Sequence, residues 1–188
     1  MPNREEAMKL LKEYNESEAL ITHALQVEAV MIHFAEYFKE DPEKWGIVGL
    51  CHDLDYEKYP EDHCKKTREI LEKEKWPEDI IRAICSHGYP DCSDEKPQNN
   101  MEKTLYAVDE LTGIINAACL LRPSKSVLDF ELKSLNKKFK DKKFAAGCDR
   151  QIILNGIEMM ELDKNIVFEE TIKGLQERAE ICSLKGNF

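Results

Sequence analysis

The chain has no long apolar run. No stretch approaches the roughly 18 apolar residues of a membrane span, and the start, MPNREEAMKLLKEYNESEAL, holds no apolar core of a secretory signal. Positive charge is in deficit: 27 Lys and Arg face 37 Asp and Glu, a formal net charge of −10. That balance argues against a nucleic-acid binder held mainly by phosphate contacts. No CxxC pair occurs, and the seven cysteines, at 51, 64, 85, 92, 119, 148 and 182, are an odd number in a chain large enough to bury a core without staples. They read as reduced thiols, and the expected location is cytoplasmic, with no membrane partner. Nor is there a run of four to eight residues alternating as a half-buried strand does, an internal repeat, a low-complexity tract or a linker.

What remains is helix after helix. Residues 3–14 carry Ala7, Met8, Leu10, Leu11 and Tyr14 on one face, and residues 18–39 carry an apolar stripe from Leu20 to Phe38 in steps of three and four. Asp41-Pro42 opens the next helix as N-cap and first helical residue. Residues 45–54 are apolar almost all round, which predicts a buried helix. A turn-rich stretch follows at 55–62, then helices over 64–75 and 76–86, a Gly-, Pro- and Asn-rich loop at 88–100, and a long helix over 101–121. Beyond a lysine-rich segment, two more helices fit 149–161 and 167–184. The expectation is an all-α single domain, residues 1–188, of about seven to nine helices.

The chemistry lies in histidine and aspartate. His52-Asp53 ends the apolar run at 45–54, where an unpaired carboxylate is costly. Taken alone, the pair reads equally as a turn cap and a core hydrogen bond. Adjacent helical residues point about 100° apart, so both bind one ion only near a helix end or a cleft. His23 lies beside the apolar face of the second helix, and Asp109 interrupts the apolar run Leu105-Tyr-Ala-Val-Asp-Glu-Leu. Three helices thus each place a His or Asp where burial disfavours it. One cation bound by His23, His52, Asp53 and Asp109 would neutralise them together. Mixed imidazole and carboxylate ligands suit Mn, Fe, Co, Ni or Zn better than Ca, with Mg a further option.

The order His…His-Asp…Asp on consecutive helices resembles the HD-domain superfamily of metal-dependent phosphohydrolases, of the HDIG type. The resemblance runs over residues 18–121, with 122–188 as a C-terminal helical extension. It implies that His23, His52, Asp53 and Asp109 hold a catalytic metal. In two-metal relatives two more histidines bind a second ion while the Asp of the pair bridges, and His63 and His87 match those positions. His33, about 280° around the helix from His23, fits no ligand position and reads as structural. Two departures stand out. Where many relatives read His-Asp-Ile-Gly-Lys, this chain reads His52-Asp53-Leu54-Asp55-Tyr56, so the lysine is missing and Lys58 is its nearest substitute. His87-Gly-Tyr-Pro matches the HD-GYP phosphodiesterases only superficially, because their longer signature is absent.

The resemblance implies hydrolysis of a nucleotide or small phosphoester by metal-activated water, with Asp53 and Asp109 as catalytic carboxylates. Arg122 and Lys125, just past the long helix, are candidates for the substrate phosphate if the chain folds back. The 137–144 run, five Lys and one Asp, is either a second anion site or a solvated connection. Two alternatives stay open: a di-iron oxygenase with the same six ligands, and a non-catalytic metal-stabilised binding module. The partners expected are a small phosphorylated substrate and, as an option, a second copy of the chain.

Overall fold

Capping chemistry sets the helix starts. The structure, a computed structural model, describes residues 2–188, and among them are nine α-helices, two short 3₁₀ turns and no strand. Asn3 accepts from the Glu6 amide while the Glu6 carboxylate accepts from the Asn3 amide, a capping box that opens α1 (Arg4–Tyr14). Ser17 caps α2 (Glu18–Phe38), and Asp41, followed by Pro42, caps α3 (Pro42–Leu50). Then come α4 (Lys65–Lys73) and α5 (Glu78–Cys85), neither with a side-chain cap. Asn99 caps α6 (Asn100–Leu120), and α7 (Leu132–Lys140) follows. Asp149 caps α8 (Arg150–Met160) and Asp163 caps α9 (Lys164–Glu177). Each side-chain cap contributes on the order of 1 kcal/mol.

Two long helices organise the rest. α2 packs against α3, α6 and α9, and α6 also receives α7 and α8. The buried apolar side chains form one contiguous cluster. Its largest fully buried members include Trp45, Phe34 and Phe168, and burying an apolar side chain of this kind contributes roughly 1.5–3 kcal/mol. The chain beyond α6 belongs to this packing, since Phe168 and Leu175 of α9 sit in the same cluster as Phe34 and Val30 of α2. Buried Gln26 of α2 ties in the C-terminal segment by donating to the Cys182 carbonyl. Glu28, also buried on α2, is paired by Arg4 of α1 at 2.5 and 2.8 Å. A Cβ at Gly49 of α3 would lie 3.0 Å from the Val27 carbonyl and 3.2 Å from the Glu28 Cα, so glycine lets α3 lie directly on α2.

Three boundaries differ from the sequence expectation. The buried helix at 45–54 stops at Leu50, and residues 51–58 run on as turns. The last helix covers Lys164–Glu177 rather than 167–184. The lysine-rich segment contains a helix of its own, α7, in which Leu135 is buried with Leu132 and Phe139 packed beside it. That apolar stripe has steps of three and four, and lysines occupy the remaining positions. No helix of the described residues is long and apolar enough to cross a membrane.

Candidate metal centre

Six side chains from five parts of the chain converge. His23 comes from α2 and Asp109 from the middle of α6, where these two helices pack. His52 and Asp53 lie just past α3, in the turns that begin at Cys51. Leaving the helix there releases the pair from the 100° divergence of helical neighbours. The turn is latched from the end of α1, where the buried C-cap Asn15 donates to the Leu54 carbonyl at 2.9 Å. His63 immediately precedes the Cys64–α4 start, and His87 sits in the 3₁₀ turn Ser86–Gly88 that follows α5.

The distances divide the six into two groups that meet at Asp53. His23 Nε2 lies 2.8 Å from Asp109 Oδ1, and His52 Nε2 lies 3.4 Å from the same oxygen. His52 Nε2 is also 3.3 Å from Asp53 Oδ2. On the other side, His63 Nε2 and His87 Nε2 are each 3.5 Å from Asp53 Oδ1 and 3.1 Å from one another. His23, His52 and Asp109 therefore form one cluster of metal-ligand geometry, and Asp53, His63 and His87 form a second. The two oxygens of Asp53 face one cluster each. His52 is fully buried and forms the floor, while the side chains of His23 and Asp109 are 25% and 21% exposed and form the rim. Tyr56, largely exposed, stands edge-on to His63 at 5.3 Å between ring centroids.

The far side of each buried ring is pinned. His52 Nδ1 donates to the Gly49 carbonyl at 2.8 Å, and His87 Nδ1 donates to the Ile84 carbonyl at 2.6 Å. His63 Nδ1 donates to Asp55 Oδ1 at 2.7 Å. An imidazole whose Nδ1 carries the proton presents Nε2 as a lone pair, the form a metal takes. His52 Nε2 is buried with no good hydrogen-bond partner, an arrangement that costs stability unless a cation occupies the place.

Electrostatics tell the same story. Burial alone would favour neutral His52, but Asp53 and Asp109 outweigh it and hold its pKa well above the ordinary 6.5. Burial opposes ionisation of Asp53, yet His52 and His87 outweigh that and hold it well below 3.8. Asp109 is pushed down in the same way, by His52 and His23 against burial. His63 is raised, Asp55 and Asp53 overcoming burial. No Lys or Arg among the described residues hydrogen-bonds or ion-pairs with any of the six. The carboxylates that hold protons on these rings would hold a divalent cation instead, and the donor set fits one.

Other sequence candidates lie elsewhere. Lys58 donates to the Glu13 carbonyl at 2.6 Å and sits over the Tyr14 ring, so it faces α1 and does not replace the missing lysine. Arg122 pairs with Asp129 at 2.8 Å, one residue beyond the C-cap of α6. That is about 20 Å along the helix from Asp109. Lys125, at φ 49°, follows in the turn that the C-terminal residues cover. The structure does not bring these two into the cluster. Lys137 and Lys138 line a separate cavity with Arg122, Phe130 and Ser134. His33 turns away as expected, to Glu170 and Glu177 of α9.

Sequence reasoning missed the part played by Asp55. It is fully buried, accepts from His63 through Oδ1 and from the Thr67 amide of α4 at 2.8 Å through Oδ2, and so aims His63 and anchors α4 together. The available signal was its spacing, two residues after Asp53 with buried Leu54 between.

Residues 20–114, half of the chain, match the model of the HD domain family. The chain belongs to the HD domain family. All six converging residues fall inside the matched segment. HD domains bind divalent metal and are in general metal-dependent phosphohydrolases, and the histidine and aspartate clusters here fit that metal chemistry. No curated protein and no solved structure matches the chain.

Proposed function

We propose that this HD domain hydrolyses a small phosphoester, of the nucleotide or phosphomonoester class, at a two-ion centre. The observation that supports it most is Asp53, with one oxygen toward each of two adjacent ligand clusters. His23, His52, Asp109 and Asp53 Oδ2 would hold one ion, and Asp53 Oδ1, His63 and His87 the other. A bound divalent ion supplies Lewis acidity to phosphoryl oxygens and makes water acidic enough to attack near neutral pH.

The chain's own groups do the rest. Asp53 orients both clusters at once, which fixes their separation before substrate arrives. His52, His63 and His87 keep their Nδ1 protons on the acceptors named above, so their Nε2 lone pairs stay directed inward. Asp109 Oδ1 is paired with His23 and lies 3.4 Å from His52 Nε2, while its Oδ2 accepts no hydrogen bond from the described residues. That free oxygen is the atom assigned to take a proton from an attacking water. His23, on the rim, has the most exposed side chain of the six.

The reading is tested by incubating the metal-loaded full chain with a panel of nucleotides and phosphomonoesters and measuring phosphate release. Release that depends on added Mn, Co, Ni or Fe and vanishes in Asp109→Asn supports it. A loaded protein that leaves every phosphoester intact overturns it.

A further inference from the structure

The two histidines of the second cluster have sulfur behind them. Cys64 directly follows His63, and Gly88 directly follows His87. The chain turns back after Gly88, whose carbonyl accepts from the Cys92 amide at 2.9 Å. That return brings Cys92 Sγ to 3.5 Å from Cys64 Sγ. One ring nitrogen of His63 and the two sulfurs all lie within 4.8 Å of one another. A Cβ on Gly88 would fall 2.4 Å from the Cys92 sulfur and 2.6 Å from the Cys64 sulfur, so the glycine leaves the space that the pair fills.

We propose that Cys64, Cys92 and His63 form a second kind of metal site, for a thiophilic cation such as Zn²⁺ or Cu⁺, overlapping the histidine–carboxylate centre at His63. Two thiolates on a tetrahedral Zn²⁺, with Zn–S bonds near 2.3 Å, stand about 3.8 Å apart. The observed sulfur separation is within a few tenths of an ångström of that value. Thiolate and imidazole together select soft and borderline cations over the hard ions that carboxylates prefer. All seven cysteines are free thiols, so both sulfurs are available to ligate. Cys64 is buried and Cys92 is half-buried, which gives the site a floor and an open side.

The overlap has a consequence that rests on the two-ion reading. His63 holds Asp55 through Nδ1 and faces Asp53 and His87 through Nε2, so giving a ring nitrogen to the two sulfurs costs it one of those partners. Thiophilic cation binding would therefore weaken the second ion's site and slow hydrolysis. Thiol ligation itself is independent of that reading, because neither cysteine belongs to the histidine–carboxylate centre.

The test is a Cd²⁺ titration of the reduced, metal-stripped full chain, following the ultraviolet charge-transfer band of cadmium thiolate. The expected result is a band that saturates at one equivalent, is lost in Cys92→Ser and persists in Cys148→Ser and Asp109→Asn. Persistence in Asp109→Asn separates this site from the hydrolytic one, so either can fail without the other. Cys92→Ser lies on a loop, and unchanged helical circular dichroism shows that its loss of the band is not unfolding. His63→Gln, in which the thiols remain, is expected to keep a band but need more Cd²⁺ to fill it. No thiolate band in the wild-type chain, or a band unchanged in Cys92→Ser, overturns the proposal.

Discussion

His23 and His33 sit on the same helix, ten residues apart, and each faces carboxylates. Their surroundings differ in one respect. His33 offers both ring nitrogens to α9, Nε2 to Glu170 at 2.8 Å and Nδ1 to Glu177 at 3.0 Å, so its hydrogen bonds are complete within the protein. His23 belongs to a group in which several imidazoles crowd two carboxylates, and the innermost of them, His52, leaves Nε2 without a partner. The first arrangement is a clamp between helices, finished by the protein alone. The second is finished only by a cation. Histidine beside aspartate or glutamate is thus no guide to a metal site. Unpaired nitrogens converging on shared oxygens are.

Asp53→Ala breaks that contrast most severely, because Asp53 serves both clusters. Metal retention is expected to disappear, with phosphate release falling by more than the roughly 10–100-fold typical of an outer-shell change. Elemental analysis and turnover of the same preparation check it. Asp55→Asn comes next. Its amide cannot accept from both His63 and the Thr67 amide as the carboxylate does, so affinity for the second ion should drop by roughly 10–100-fold, measurable by competition with a metal-binding dye.

The histidines of the metal site and Glu170 of the clamp should also answer pH with opposite signs. His52 and His63 have pKa values raised from 6.5, so in metal-free protein their contribution is full below 6.5 and is lost as pH rises through the raised values. Asp53 and Asp109 are lowered from 3.8, so theirs is present above 3.8 and lost only as pH falls through the depressed values. Burial works against ionised Glu170, but Lys173 and His33 outweigh it and lower its pKa from 4.5, so its contribution is lost on the acid side. Thermal unfolding of the stripped protein should therefore show stability declining as pH climbs above 6.5. Divalent metal should reverse that limb, since ligation needs unprotonated imidazole. The smallest effect is expected from His33→Ala, a loss of about 1 kcal/mol of stability in chemical denaturation, with metal content unchanged.

Much of this site was legible in the sequence because its signals are local. An aspartate that ends an apolar run, as Asp53 does, or interrupts one, as Asp109 does, is costly wherever the run is buried, and each stands out for that reason. The family resemblance added His63 and His87, and the structure brings all six residues together. Contacts that depend on chain reversal were not legible. Cys64 and Cys92 are 28 residues apart and meet only because the loop after α5 folds back. Asp55 shows in the sequence only as part of the run that lacks the lysine, since nothing local shows that the Thr67 amide lies over it. Arg122 and Lys125 are candidates by charge, but α6 continues past Asp109 to Leu120 and they follow beyond its end. In the fold, α7 was obscured by its lysines, although Leu132, Leu135 and Phe139 keep helical spacing beneath them.

The central claim is that Asp53 joins two ion sites, and metal stoichiometry tests it most directly. The stripped full chain, loaded with Mn²⁺ or Co²⁺ and freed of excess, should carry two ions per chain. His87→Ala should carry one, and Asp53→Ala close to none. A wild-type chain that retains no ion after loading, or a His87→Ala variant with the wild-type count, would contradict it.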